Sequence, residues 1–183
     1  SAPFSIKKRS LQSLDFTAVD LPYVFCIGGI LGTAYEVMLT LCTTGVLENR
    51  SGSVLTPFNY VYGVGAVVIL LALHKVKKGT TLFTVGAVLG GAVEYGLNYF
   101  QEILLGCSSW NYSAKPFNIN GRTTLPFMLV WGGLCFMAIR FLFPVLLRAI
   151  HTIPAKTRNV IGVVLLSVVC IDAIVSLVAV TRY

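Results

Sequence analysis

Charge is what this chain has least of. Its 183 residues hold 7 acidic and 14 basic side chains, so charged residues make up 11%, where a soluble domain carries about a quarter. That shortage excludes an ordinary water-soluble domain. Histidine is nearly missing too, with only His74 and His151, both at the ends of apolar stretches. A Ser-His-Asp or Cys-His mechanism is therefore unsupported at the polar site described below. The five cysteines, Cys26, Cys42, Cys107, Cys135 and Cys170, show no C-x-x-C pair and no neighbouring histidine, so no metal site is expected. Only Cys42 and Cys107 fall near one expected surface, where a disulfide is admissible, although cysteines packing as small apolar side chains is the plainer reading. No G-x-x-x-x-G-K-[ST] loop occurs, so the chain does not itself bind ATP in that way, and no cofactor is expected.

What the chain has in quantity is apolar surface. Apolar residues make up 56% and the mean hydropathy is +0.81. Five apolar stretches, about 20–43, 58–76, 80–104, 123–148 and 157–181, each hold the roughly 17–25 residues that cross a hydrocarbon core. They predict one all-α integral membrane domain, a bundle of about five transmembrane helices with the lipid bilayer as its main partner. Residues 1–18, with Lys7, Lys8 and Arg9 among apolar side chains, read as an interfacial segment rather than a cleavable signal peptide. Stretches two and three are joined by only a few residues, as are four and five. The other two connections, 44–57 and 105–122, are longer and richer in amides and aromatics.

The basic residues set an orientation. Lys7, Lys8, Arg9, Lys75, Lys77, Lys78, Arg148, Lys156 and Arg158 share one side; Arg50, Lys115, Arg122 and Arg182 share the other, and Arg140 lies within stretch four. Basic residues collect in the cytoplasm, which predicts N-in, C-out in a plasma membrane. The same bias accounts for the net charge of +7, so no nucleic-acid partner is expected. Gly28 with Gly32, and Gly86 with Gly90, offer close helix packing and make a homo-oligomer admissible. Pro126 and Pro144 are expected to bend stretch four.

Three acids lie well inside the apolar stretches, away from their ends: Glu36, Glu94 and Asp172. A carboxylate in a membrane is costly unless paired or neutralised, so each marks a candidate site. At about 1.5 Å of rise per residue, Glu36 lies about 24 Å from the inner face, Glu94 and Asn59 about 22 Å, and Asp172 about 21 Å. Four helices thus place a polar group in one slab of the outer half. Above it runs the longest polar interruption, Trp110 to Arg122, expected to cap a pocket. The candidate ligand-binding set is Glu36, Asn49, Arg50, Asn59, Glu94, Trp110, Asn118, Asn120 and Arg122. Arg50 or Arg122 is expected to pair with Glu36 or Glu94, matching guanidinium to carboxylate. Asp172 faces either the pocket or a neighbouring protomer, and Tyr60, Tyr62 and Tyr95 read as interfacial belt residues. The plainer alternative is that the charges pair only to fix helix registry.

An ordered set of motifs runs from Tyr35-Glu36 through Asn49-Arg50, Pro57-Phe58, Tyr62-Gly63-Val64-Gly65, Glu94 and Trp110-Asn111-Tyr112-Ser113 to Phe117–Arg122 and Trp131-Gly132. It resembles the bacterial ABC-transporter type IV family, also labelled CmpB-like permeases, over about residues 24–135. The resemblance implies a membrane permease and, from the family label, a separate ATPase subunit as partner. The short cytoplasmic connections leave little surface for that subunit. Asn111 stands where the family has Asp, Asn59-Tyr60 replaces a Pro-plus-aliphatic pair, and Thr123-Thr124 replaces Ile-Cys. Three functions fit the residues. One is a transport or solute-binding component for a small polar or charged solute. A second is an intramembrane enzyme on a lipid headgroup, with Glu36 or Glu94 as acid or base. The third is a structural or regulatory subunit.

Overall fold

The computed structural model describes residues 15–47, 52–57, 59–108 and 110–181. The basic cluster at Lys7–Arg9, the candidates Asn49 and Arg50, and Arg182 lie outside the described residues. A 3₁₀ turn, Ala18–Asp20, leads into α1, Leu21–Thr44, followed by α2, Tyr60–Leu73, and α3, Gly79–Leu105. Next come two short strands, β1, Asn118–Ile119, and β2, Thr123–Thr124. The fourth crossing is continuous from α4, Leu125–Met137, through a π-helical turn, Ala138–Leu142, into α5, Phe143–His151; α6, Ala155–Thr181, completes the bundle. Four of these crossings are long and apolar enough to span a membrane, and α2 is shorter. The chain is an all-α membrane bundle of about five helices.

The shortness of α2 corrects the expectation of a full second span. Its 14 residues rise about 21 Å, well under the roughly 30 Å of a hydrocarbon core. Asn59 ends the helix by accepting from the Val61 amide at 3.0 Å, while its own amide donates to Thr33 Oγ1 at 2.8 Å. Asn59 is thus an N-cap before the helix, not a polar residue within it. Non-helical backbone at membrane depth needs protein partners for its polar groups. Asp172 supplies them. Fully buried on α6, it accepts from the Leu55 amide at 2.9 Å, from Ser176 Oγ at 3.2 Å and from Thr56 Oγ1. Ser176 Oγ takes the Val54 amide at 3.1 Å. Asp172 therefore faces neither a solute pocket nor a neighbouring protomer; it holds the descending segment 53–56 in place.

Helices pair in hairpins. α1 packs chiefly on α2 and α3 on α4, whereas α2 and α3 touch over a much shorter stretch. Glycines permit the close approaches. A Cβ on Gly28 would stand 2.4 Å from Ala66 Cβ, and one on Gly32 2.0 Å from the Tyr62 ring. On the second hairpin, a Cβ on Gly86 would meet Cys135 Cβ at 2.5 Å, and one on Gly90 would meet Trp131 Cβ at 2.3 Å. The two glycine pairs thus serve contacts within the chain.

The apolar core gathers at the end where Lys75–Lys78 joins α2 to α3. Val24, Leu70, Leu73, Leu82, Phe143 and Leu147 meet there from all four crossings of the hairpins. Arg140 donates to the Lys77 carbonyl at that end. Pro126 does not bend its helix but starts it, occupying the first turn of α4, where no amide hydrogen is needed. Pro144 sits just past the π turn, which accommodates its missing donor. The same end holds a polar knot that the sequence reading missed. Buried Asp20 accepts from the Thr17 amide at 2.8 Å, lies 3.0 Å from His151 Nε2, and has Arg158 Nε at 3.8 Å. Tyr23 OH donates to the Arg158 carbonyl at 2.8 Å, so the start of α6 is tied to the start of α1.

Candidate functional site

At the opposite end the hairpins part around a cavity of about 630 Å³. Its floor is Ile69, at the edge of the apolar core. Glu36 on α1 and Glu94 on α3 both line it, with Asn59 at the head of α2, and Trp110 and Tyr112 from the connection above. Carboxylates from separate hairpins thus reach one hollow beneath the capping loop.

Each carboxylate is held by hydroxyl groups of its own hairpin. Tyr62 OH donates to Glu36 Oε1 at 2.8 Å. Glu94 accepts from Tyr112 OH at 3.0 Å and from Thr123 Oγ1 at 2.6 Å. Burial first, and Glu94 beside it, push the Tyr112 phenol well above its ordinary pKa, which keeps it a donor. The positions have a helix-level logic. Tyr62 lies in the first turn of α2, and Thr123 just precedes α4, whose cap is Thr124 accepting from the Phe127 amide at 3.2 Å. Both acids therefore sit at the level where a helix starts, and the positive end of a helix dipole favours a carboxylate.

Arg122 does not pair with Glu36 or Glu94. It forms an ion pair with Glu102, donates to Asn98 Oδ1 at 2.8 Å, and lies 5.0 Å from the Tyr99 ring centroid and 5.7 Å from that of Tyr95. Its side chain is turned to a second, smaller cavity of about 240 Å³, lined also by Asn98, Asn111 and Asn120. The reason is local. Asn98 lies one helical turn beyond Glu94, buried, and its amide nitrogen donates to the Trp110 carbonyl at 2.7 Å. Trp110 Nε1 in turn donates to the Arg122 carbonyl at 2.9 Å. Among the described residues, no lysine, arginine or histidine forms an ion pair with Glu36 or Glu94.

The connection between α3 and α4 is a folded cap. Asn120 and Gly121, at φ 51° and 69°, are both left-handed in a turn closed by the Arg122 amide on the Ile119 carbonyl at 3.0 Å. Asn-Gly suits that demand, and β1 pairs antiparallel with β2 on either side. At Gly121 a Cβ would also collide with Ser113 Oγ, 2.4 Å away. Asn118 accepts from the Gly121 amide at 3.0 Å and donates to the Lys115 carbonyl at 2.8 Å. Asn120 donates to Tyr95 OH at 2.9 Å. Asn118 and Asn120 are exposed and build the cap, and neither lines the larger cavity. Asn111 Oδ1 accepts from the Ser113 amide at 2.8 Å and from its hydroxyl at 2.6 Å. That role uses only an acceptor oxygen, which an aspartate in the same place also supplies.

Of the candidate set, the structure therefore brings together Glu36, Asn59, Glu94 and Trp110, and sets Asn118, Asn120 and Arg122 apart in the cap. Sequence reasoning missed Tyr62, Tyr112, Thr123 and Asn98. Tyr62 is not a belt residue, since it lies on Gly32 and serves Glu36. The i, i+4 spacing of Glu94 and Asn98 was the available signal for the polar stripe of α3. Cys42 and Cys107 are both free thiols. No curated protein and no solved structure matches the chain. A family model does match, over residues 23–177, and on that match the chain belongs to the family described as "Putative ABC-transporter type IV".

Proposed function

We propose that this chain is the membrane-embedded part of a transport system, and that the cavity between its hairpins holds a small polar or charged solute. The observation that carries this reading is the placement of Glu36 and Glu94 on different hairpins around one hollow. Each acid is fastened within its own hairpin, and the apolar core joins the hairpins only at the far end. A solute touching both acids would link the two halves at their open end, and its departure would release them. The connections at Lys75–Lys78 and Thr152–Pro154 offer little area for a separate ATPase, so the reading commits to solute holding and not to ATP coupling.

The test is solute-dependent stabilisation. Purified protein in lipid nanodiscs is screened by thermal unfolding against small cations, anions, zwitterions and sugars. A hit that raises the midpoint in the native protein, and fails to do so in folded Glu36→Gln and Glu94→Gln, supports the reading. If no solute of any class stabilises the protein, or if hits persist in both variants, the cavity is not a solute site. If the two variants lose the fold itself, the carboxylates serve helix registry.

A further inference from the structure

The solute class can be narrowed, on the premise that the larger cavity is a solute site at all. Two carboxylates face that hollow, and among its described lining residues there is no lysine, arginine or histidine. Of the two guanidinium groups expected to balance them, Arg122 is engaged elsewhere, with Glu102, Asn98 and two tyrosine rings, and Arg50 lies outside the described residues. The hydrogen bonds that Glu36 and Glu94 receive come from neutral hydroxyls, which orient a carboxylate without neutralising it. Among the described residues, an anion entering this hollow would meet two carboxyl groups and no basic side chain.

Aromatic side chains supply a third of the remaining lining. Trp110, Trp131, Tyr60, Tyr62 and Tyr112 all contribute. Aromatic faces attract desolvated cations, and quaternary ammonium groups are the ligands such cages favour. A strongly hydrated metal ion would want more oxygen ligands than these residues offer, and no cluster of three or more acidic, histidine or cysteine side chains suited to a metal occurs among the described residues. We infer that the cavity selects an organic ammonium cation, holding its charge between Glu36 and Glu94 and its alkyl groups against the tryptophan and tyrosine rings. The ammonium group can arrive on a free solute or as the headgroup of a lipid, since the hollow lies within the membrane-spanning part.

Three probes of one shape test the class on unaltered protein: choline, its neutral isostere 3,3-dimethylbutan-1-ol, and the anion 3,3-dimethylbutanoate. The expected result is calorimetric binding of choline to protein in phosphatidylglycerol nanodiscs, at least about tenfold tighter than the neutral isostere, with no binding of the anion. Glu36→Gln and Glu94→Gln should each weaken choline by about tenfold. Adding phosphatidylethanolamine to the nanodiscs tells the source. Competition with choline assigns the cation to a headgroup, and no competition assigns it to a free solute; both sustain the class. Equal binding of choline and the neutral isostere, or preference for the anion, overturns the cation assignment while leaving a solute cavity. Failure of choline, while another solute class stabilises the protein, does the same. Failure of every solute removes both.

Discussion

The two ends of this bundle are built on opposite terms. Where α2 and α3 are joined, apolar side chains from α1 to α5 interlock beside the Asp20 knot, and Leu70, Leu73 and Phe143 are all but inaccessible. At the other end α2 stops short, the fourth crossing begins late, and about 630 Å³ stays open between the hairpins. The hollow exists because two helices start in the plane of the acids instead of passing through it. Segment 53–56 and the Trp110–Arg122 cap fill the level above, with backbone groups that Asp172, Thr33 and the loop amides satisfy. One end holds the molecule together and the other leaves room for a guest.

Paired substitutions can break or sharpen that contrast. The largest effect is expected from Phe143→Ala, which opens a void in a closed core and should lower stability by about 3–5 kcal/mol in a detergent unfolding titration. Leu97→Ala only widens a space that is already open, and the same titration should register less than about 1 kcal/mol. Equal losses at the two positions would mean that the hollow is packed in the native protein.

Asp172→Asn comes next. Removing the charge behind the bonds to Leu55 and Thr56 should cost about 1.5–3 kcal/mol, and hydrogen exchange should speed up at the Leu55 amide more than at Leu70. Unchanged exchange at Leu55 would show that α6 does not hold the descending segment. A glycine pair repeats the contrast on a smaller scale. Gly86→Ala drives a methyl against Cys135 and should cost about 1–3 kcal/mol. A Cβ at Gly65 meets nothing within 4 Å, so Gly65→Ala should be neutral or stabilise by up to about 1 kcal/mol, helped by helix propensity. The smallest effect belongs to Asn111→Asp. Its acceptor role survives the exchange, and the melting curve should shift by no more than about 0.5 kcal/mol.

The bundle was legible in the sequence because apolar length is a strong signal, and Glu36 and Glu94 were legible because acids are conspicuous in lipid. Their common depth followed from helical rise alone. Depth alone is not sufficient. Asp172, on α6, shares the plane of the acids because it serves the bare backbone of the segment before α2, whereas Asn59 caps α2 and also lines the cavity. Pro57, two residues ahead of Asn59, was the available hint of a helix start. The sequence offers Arg50 or Arg122 to Glu36 or Glu94, and Arg122 goes elsewhere because charge sign says nothing about direction. Asn98 and Glu102 stand on the same face of α3 one and two turns past Glu94, and they engage the guanidinium instead. From sequence alone Tyr60, Tyr62 and Tyr95 read as belt residues, since phenols are common at membrane surfaces. Only the packing of Tyr62 on Gly32 reveals that its hydroxyl is aimed inward.

Whether Glu36 and Glu94 look into one water-filled space can be asked directly by thiol chemistry. Cys42, Cys107 and Cys170 are exposed and would be replaced by serine, while buried Cys26 and Cys135 stay. Glu36→Cys and Glu94→Cys, singly and together, are then treated with a bulky water-soluble maleimide. Both single variants should be labelled, and the double variant should take up one label per chain because the first occupant fills the hollow. A single variant that resists labelling, or a double variant that accepts two labels at the rates of the singles, would contradict a shared cavity.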